Sequence, residues 1–141
     1  MFIKQLSVFV ENEPGKLVEA TEVLGQAGVD MKAMCIADTN NFGVLRFIAN
    51  HPKTAEQALK DQGFMVSQTE VIGVGIADRP GGLSAALHIL SNAGISVEYL
   101  YAFLGRDEGT AFVIIRVEDN AAAKEVLEAN GIRLLDGTEI Q

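Results

Sequence analysis

The hydrophobic positions of the chain alternate between two periods. Leu6, Val8 and Val10 are separated by Ser7, Phe9 and Glu11, the period-two pattern of a strand with one buried face. Beyond Pro14, whose fixed φ suits a first helical position, Leu17, Ala20, Val23, Leu24 and Ala27 recur at helical spacing, and Gly28 is placed just past the helix end. Val29 to Ala37 reads as a second strand, Thr39-Asn40-Asn41 as a turn, and Phe42 to Ala49 as a third strand. A helix from Pro52 to Gln62, closed by Gly63, and a strand from Phe64 complete a βαββαβ unit.

The same unit then recurs. Glu13-Pro14-Gly15-Lys16-Leu17 aligns with Arg79-Pro80-Gly81-Gly82-Leu83 at an offset of 66, as do Leu24, Ala27, Gly28 and Val29 with Leu90, Ala93, Gly94 and Ile95. Past the middle, Leu59, Gly63 and Phe64 align with Leu127, Gly131 and Ile132 at an offset of 68. The second copy therefore carries two extra residues, which are placed in the turn Gly105-Arg106-Asp107-Glu108-Gly109. The expected division is 1–68 and 69–141, and no flexible linker separates the copies, so the two units are expected to pack side by side. The expected class is α+β, with antiparallel sheets and helices on one face of each.

The pattern also separates the faces of each sheet. Leu6, Val8, Val10, Leu45 and Phe47 should face the helices, as should Ile72, Val74, Ile76, Val113 and Ile115 in the second copy. The second strand of each copy switches phase between apolar positions, which predicts β-bulges near Ala33 and Tyr99. Tyr101, Phe103, Phe112 and Ile114 then fall on the outer face. An apolar surface there predicts a homodimer or a docked partner. Gly73 and Gly75, on the same face, would allow another surface to come close.

Charge narrows the functional classes. The 141 residues carry 11 Lys and Arg against 19 Asp and Glu, a net charge of −8, which repels phosphate backbones and anionic membranes. Residues 1–68 hold 6 basic and 8 acidic side chains and residues 69–141 hold 5 and 11, so the halves need not share a ligand. The single cysteine, Cys35, excludes an internal disulfide and a cysteine-based zinc site. With no signal-peptide pattern and no apolar run of membrane length, a cytoplasmic protein is expected.

Asn12-Glu13-Pro14-Gly15-Lys16-Leu17, followed by Leu24, Ala27-Gly28-Val29-Asp30-Met31 and Met34, resembles the ACT-domain pattern of Asx-x-Pro-Gly-x-Leu, a helix, then Gly-Ile-Asp-Ile. Asp78-Arg79-Pro80-Gly81-Gly82-Leu83, with Gly94-Ile95-Ser96-Val97 and Leu100, repeats it, so the resemblance spans essentially the whole chain. ACT domains are small regulatory modules that bind amino acids, usually paired and usually fused to metabolic enzymes. The resemblance implies two such domains with no fused enzyme, no catalytic residue and no cofactor. It places ligand at the strand-to-helix turns, Asn12–Leu17 and Asp78–Leu83.

Elementary chemistry supports that placement. A helix N-terminus offers unpaired N–H groups and the positive end of the helix dipole to a carboxylate. Gly15 and Gly81 let a ligand approach the backbone, and Asn12 and Asp78 can accept from an ammonium group. Serine-sensing members of the family carry a His two positions before the Asn, where this chain has Val10 and Ile76, which argues against serine. The same residues also suit ordinary caps and turns.

Sharper chemistries are poorly supported. Gly73-Val74-Gly75 lies within a strand and lacks the third glycine of a dinucleotide fingerprint. Met34 and Cys35 point to opposite faces of an extended segment, which disfavours a soft-metal site. Ser84 and His88 are helical neighbours without an orienting acid. Phe42-Gly43-Val44-Leu45-Arg46-Phe47 has a faint likeness to the aromatic motif of RNA-recognition domains, but basic residues are scattered and the net charge is acidic. The expectation is a non-enzymatic regulator that binds an amino acid or similar small zwitterion. The competing expectation is an accessory subunit that binds a metabolic enzyme through the outer sheet face or the sheet edges.

Overall fold

The computed structural model describes residues 1–38 and 41–140, so Thr39 and Asn40 of the expected turn lie outside the described residues; the side chains of residues 105–107 also lie outside them. The chain divides into two compact units. The first comprises Lys4–Thr69 with Ile140, and the second Glu70–Glu139 with Met1–Ile3. The two chain ends are thus exchanged relative to a simple cut in the middle. The Met1 ammonium donates to the Asp136 carboxylate at 2.8 Å, and the Gly137 amide donates to the Met1 carbonyl at 2.8 Å.

In the first unit, β1 (Ile3–Glu11) pairs antiparallel with β3 (Phe42–Ala49), which pairs antiparallel with β2 (Met31–Asp38). The start of β4 (Val66–Ala77) follows the residue whose carbonyl holds the Phe9 amide, Met65, at 3.1 Å. Leu6 lies opposite Phe47 and Val8 opposite Leu45, so period-two alternation in both strands turns these side chains to one face. Helix α1 (Lys16–Gln26) closes on them with Ala20 and Leu24, and α2 (Pro52–Asp61) with Ala55 and Leu59. Spacing of four residues puts each helical pair on one stripe.

The second unit repeats this plan at the predicted offsets. The later part of β4 pairs with β6 (Thr110–Arg116) and with the short β7 (Leu134–Leu135), and β6 pairs with β5 (Tyr99–Asp107). Helix α3 (Gly82–Asn92) buries Ala86 and Leu90, and α4 (Asn120–Ala129) buries Ala123 and Leu127. Each is the exact repeat partner of a buried residue in α1 or α2. The Asp119 carboxylate caps α4 by accepting from the Ala122 amide at 3.0 Å.

Several local expectations need correcting. Pro14 lies in the turn before α1, whose cap is Gly15 with a left-handed φ of 90°. The register shift between Met31 and Ala33 falls where a bulge was expected, whereas in β5 the irregularity lies between Ala102 and Arg106 and not near Tyr99. The segment 95–98 is not strand, and β5 begins only at Tyr99. The outer-face patch is not an exposed surface either. Tyr101, Phe112 and Ile114 are 6%, 5% and 0% exposed, covered by the chain itself, and the half-buried Phe103 ring meets Phe112 edge-on at 6.4 Å. Gly73 does permit close approach, by the chain's own Ile3, whose Cδ1 lies 2.7 Å from where a Cβ would stand.

Candidate functional site

Each β-strand-to-helix turn is built by the same hydrogen bonds. In the first, the Glu13 amide donates to the Glu11 carbonyl at 2.8 Å, and the Lys16 amide to the Glu13 carbonyl at 3.2 Å. In the second, Arg79 donates to Ala77 at 2.9 Å and Gly82 to Arg79 at 3.0 Å. The turns are also tied to the neighbouring hairpins in the same way, Asn12 to the Asn41 carbonyl at 3.4 Å and Asp78 to the Gly109 carbonyl at 3.0 Å. Proline and a left-handed glycine therefore set one backbone geometry twice, with φ of 90° at Gly15 and 88° at Gly81.

The helices start without a side-chain cap. The first α-helical bond of α1 runs from the Glu19 amide to the Gly15 carbonyl at 2.9 Å, and that of α3 from Ala85 to Gly81 at 3.0 Å. The amides of Leu17 and Val18, and of Leu83 and Ser84, thus occupy the helical positions whose donors have no intrahelical acceptor. They carry the positive end of the helix dipole, which favours a carboxylate.

The side chains around the two turns differ. Asn12 was expected to accept from an ammonium group, which falls to its Oδ1; its Nδ2 donates to Asp38 Oδ1 at 2.8 Å. Asp38, at the end of β2 and opposite Gly43, is a neighbour that sequence reasoning missed. Gly43 leaves room beside the pair, where a Cβ would lie 3.3 Å from Asn12 Oδ1 and 3.1 Å from Ile36 Cδ1. Lys16 stands at the start of α1 with its Nζ 3.9 Å from the Glu19 carboxylate, a loose surface pair. Glu13, Pro14, Gly15 and Leu17 are exposed.

In the second turn the position of Lys16 is taken by Gly82. A Cβ there would stand 1.9 Å from the Ala77 carbonyl oxygen, so this turn closes tightly on its own backbone. Asp78, Arg79, Pro80 and Gly81 are exposed, Gly82 is buried and Leu83 packs against the core of the second unit.

Two clefts open beside the first turn, both within the first unit. One, of about 350 Å³, is lined by Glu11, Asn12, Glu13, Asn41 and Phe42. The other, of about 280 Å³, lies where β1 ends and α2 turns into β4, lined by Phe9, Glu11, Lys16, Glu19, Phe42 and the segment Gln62–Met65. Sequence reasoning missed this second cleft. Phe9 and Met65 are apolar side chains at outward positions, which is the signal that points to it. Among the described residues no cluster of three or more His, Cys, Asp or Glu side chains is arranged to hold a metal, and no helix is long and apolar enough to cross a membrane.

Two βαββαβ units, each with an open helix start behind a Pro-Gly turn, define a tandem ferredoxin-like module of the regulatory ACT class. The chain belongs to the ACT domain pair family, whose profile matches residues 1–141. Among solved structures, protein BT0572 from Bacteroides thetaiotaomicron is 38% identical with a TM-score of 0.92, over 99% of this chain and 96% of that one. The regulatory subunit of aspartate kinase from Thermus thermophilus, in its ligand-free form, is 16% identical with a TM-score of 0.68, over 92% and 93% of the two chains. The corresponding subunit from Thermus flavus is 15% identical with a TM-score of 0.63, over 92% of each chain. The two kinase subunits show a shared fold. No curated protein matches the sequence.

Proposed function

We propose that this protein is a regulator that binds an amino acid or similar small zwitterion at one or both of the turns Asn12–Leu17 and Asp78–Leu83. The observation that carries this reading is the uncapped helix start behind a left-handed glycine, with the same hydrogen-bond pattern in both copies. The amides of the first helical turn suit a carboxylate. The Asn12–Asp38 pair in one turn and Asp78 in the other suit an ammonium group. Aspartate kinase regulatory subunits share the fold, and by name they regulate an enzyme. On this reading the ligand acts here by binding one arrangement of the protein more tightly than another, the only way binding becomes a signal.

A thermal-shift screen of the twenty amino acids tests it. A ligand at a hundred times its Kd stabilises the native state by about 2.7 kcal/mol, several degrees of Tm. One or a few amino acids should give a saturating shift. Changing both Asn12 and Asp78 to Ala should weaken that shift without unfolding the protein; an undiminished shift in the double variant contradicts the site.

A second reading is a subunit that docks on a metabolic enzyme or on a second copy of itself without sensing. Exposed apolar side chains favour it: Met34, Ile36 and Leu104 are 40%, 50% and 67% exposed. Met34 and Ile36, which alternate on β2 in the first unit, replace the buried Tyr101, Phe112 and Ile114 as the surface through which we propose a homodimer. No thermal response to any amino acid, together with an enzyme recovered by co-purification, would favour this reading.

A further inference from the structure

The repeat alignment holds atom by atom at the sheet end beside each turn. Phe9 donates to the Met65 carbonyl and lies opposite Val44; Gly75 donates to the Arg133 carbonyl and lies opposite Phe112. These pairs are related by the same offsets, 66 and 68, that relate the sequences. The residues that line the 280 Å³ cleft of the first unit can therefore be compared one by one with their counterparts in the second.

The counterparts replace most of the apolar and charged lining, while Gln62, Gly63 and Phe64 keep similar counterparts in Asn130, Gly131 and Ile132. Phe9 becomes Gly75, Phe42 becomes Thr110 and Met65 becomes Arg133, while the charged Glu11, Lys16 and Glu19 become Ala77, Gly82 and Ala85. The space is then filled from within. A Cβ on Gly75 would already meet Phe112 Cε1 at 3.2 Å, the Arg133 carbonyl at 3.3 Å and Thr110 Cγ2 at 3.4 Å. The Arg133 guanidinium lies 5.5 Å from the centre of the Phe112 ring and pairs with Glu139. Gly82 packs on the Ala77 carbonyl.

In the first unit the same place is open and amphipathic. Phe9, Phe42 and Met65 are 44%, 49% and 69% exposed, large apolar side chains that water does not favour and that all line one cleft. Charge of both signs rims it, with Lys16 at the start of α1 and Glu11 at the end of β1. A cleft of this volume is at the small end of ligand pockets.

We propose that the first unit alone receives the ligand and that its cleft selects a small zwitterion with a large apolar side chain. The side chain lies against Phe9, Phe42 and Met65, the carboxylate at Lys16 and the helix start, and the ammonium between Glu11 and the Asn12–Asp38 pair, Glu11 and Asn12 both lining the adjoining cleft. The second unit is closed at the equivalent place. This rests on the amino-acid-binding reading above and narrows it to one unit and one ligand class.

Isothermal titration with L-phenylalanine, L-leucine and L-methionine, and with L-serine, L-threonine, L-lysine and L-aspartate, tests the inference. At least one of the first three should bind at one site per chain and more tightly than all of the last four. Met65→Arg, which installs the second unit's residue at an exposed position, and Phe9→Ser should each weaken binding at least tenfold while circular dichroism stays unchanged. Two sites per chain, undiminished binding in both variants, or binding confined to the polar amino acids overturns this inference and leaves the broader reading standing. Binding of none of the twenty amino acids overturns both.

Discussion

Gly15 and Gly82 sit in equivalent turns and resist substitution for different reasons. Gly15 has a left-handed φ of 90° and open space around its missing Cβ, so Gly15→Ala should cost only the conformational strain, about 1 kcal/mol. At Gly82 a Cβ would collide with a backbone carbonyl at 1.9 Å, and the turn must open to admit it. Gly82→Ala should therefore cost about 3 kcal/mol. Urea unfolding of the two variants measures the difference, and equal costs would contradict the closed second turn. Cys35 offers a second residue-level check. Burial pushes its thiol above the ordinary range, while the charge and hydrogen bond of Arg46, opposite it on β3, pull the other way. Alkylation should therefore rise with pH through a midpoint above that of free cysteine, and Arg46→Gln should move the midpoint higher still. A midpoint at or below that of free cysteine would contradict this environment.

At the scale of elements, the hydrophobic periods were enough to place the four helices and the strand faces. Ala20 and Leu24, and their partners Ala86 and Leu90, are buried as their spacing requires. Strand beginnings were less legible. Ile95 and Val97 have a strand-like pattern, but the segment 95–98 is not strand, and the bulge in β5 sits beside the inserted turn, where two added residues have to be absorbed. The site was legible as a motif and not as a surface. The Pro-Gly turns announce themselves locally, whereas Asp38 reaches Asn12 only through the register of β2 on β3, and the cleft forms only when β1 brings Phe9 to Met65, just before β4. Burial of Tyr101 and Ile114 was invisible for the same reason, since alternation tells which face a side chain takes and not what lies over it.

Ile3 and Gly73 test the exchanged chain end. Ile3 is 1% exposed and its Cδ1 occupies the space a Gly73 side chain would need. Gly73→Ala should destabilise by about 1–3 kcal/mol. In an Ile3→Ala background the added methyl should cost clearly less, a non-additivity that a double-mutant cycle in urea reads directly. Additive costs would mean that Ile3 does not cover Gly73.

At the scale of the whole molecule, the two halves are one fold twice with unequal chemistry. The net charge of −8 is concentrated in residues 69–141, yet the open, charged cleft belongs to the first unit. On the proposed reading, duplication lets one copy keep a ligand cleft while Phe112 and Arg133 occupy the equivalent place in the other. The proposed homodimer belongs to this scale as well. Light scattering over a concentration series should give twice the 15.1 kDa chain mass, and Ile36→Glu should shift it toward the monomer. A single chain mass at every concentration would contradict the dimer without touching the ligand site.

Binding of a zwitterion at the start of a helix is the claim on which the rest depends, and backbone amide shifts report it most directly. In nitrogen-15-labelled protein titrated with the amino acid that gives the largest thermal shift, the amides of Gly15 to Val18 should move in a saturable way, together with those of Phe9 and Met65. The corresponding amine, which lacks the carboxylate, should leave the helix-start amides in place. Saturable binding that leaves Leu17 and Val18 unmoved, or an amine that moves them equally, would contradict the account.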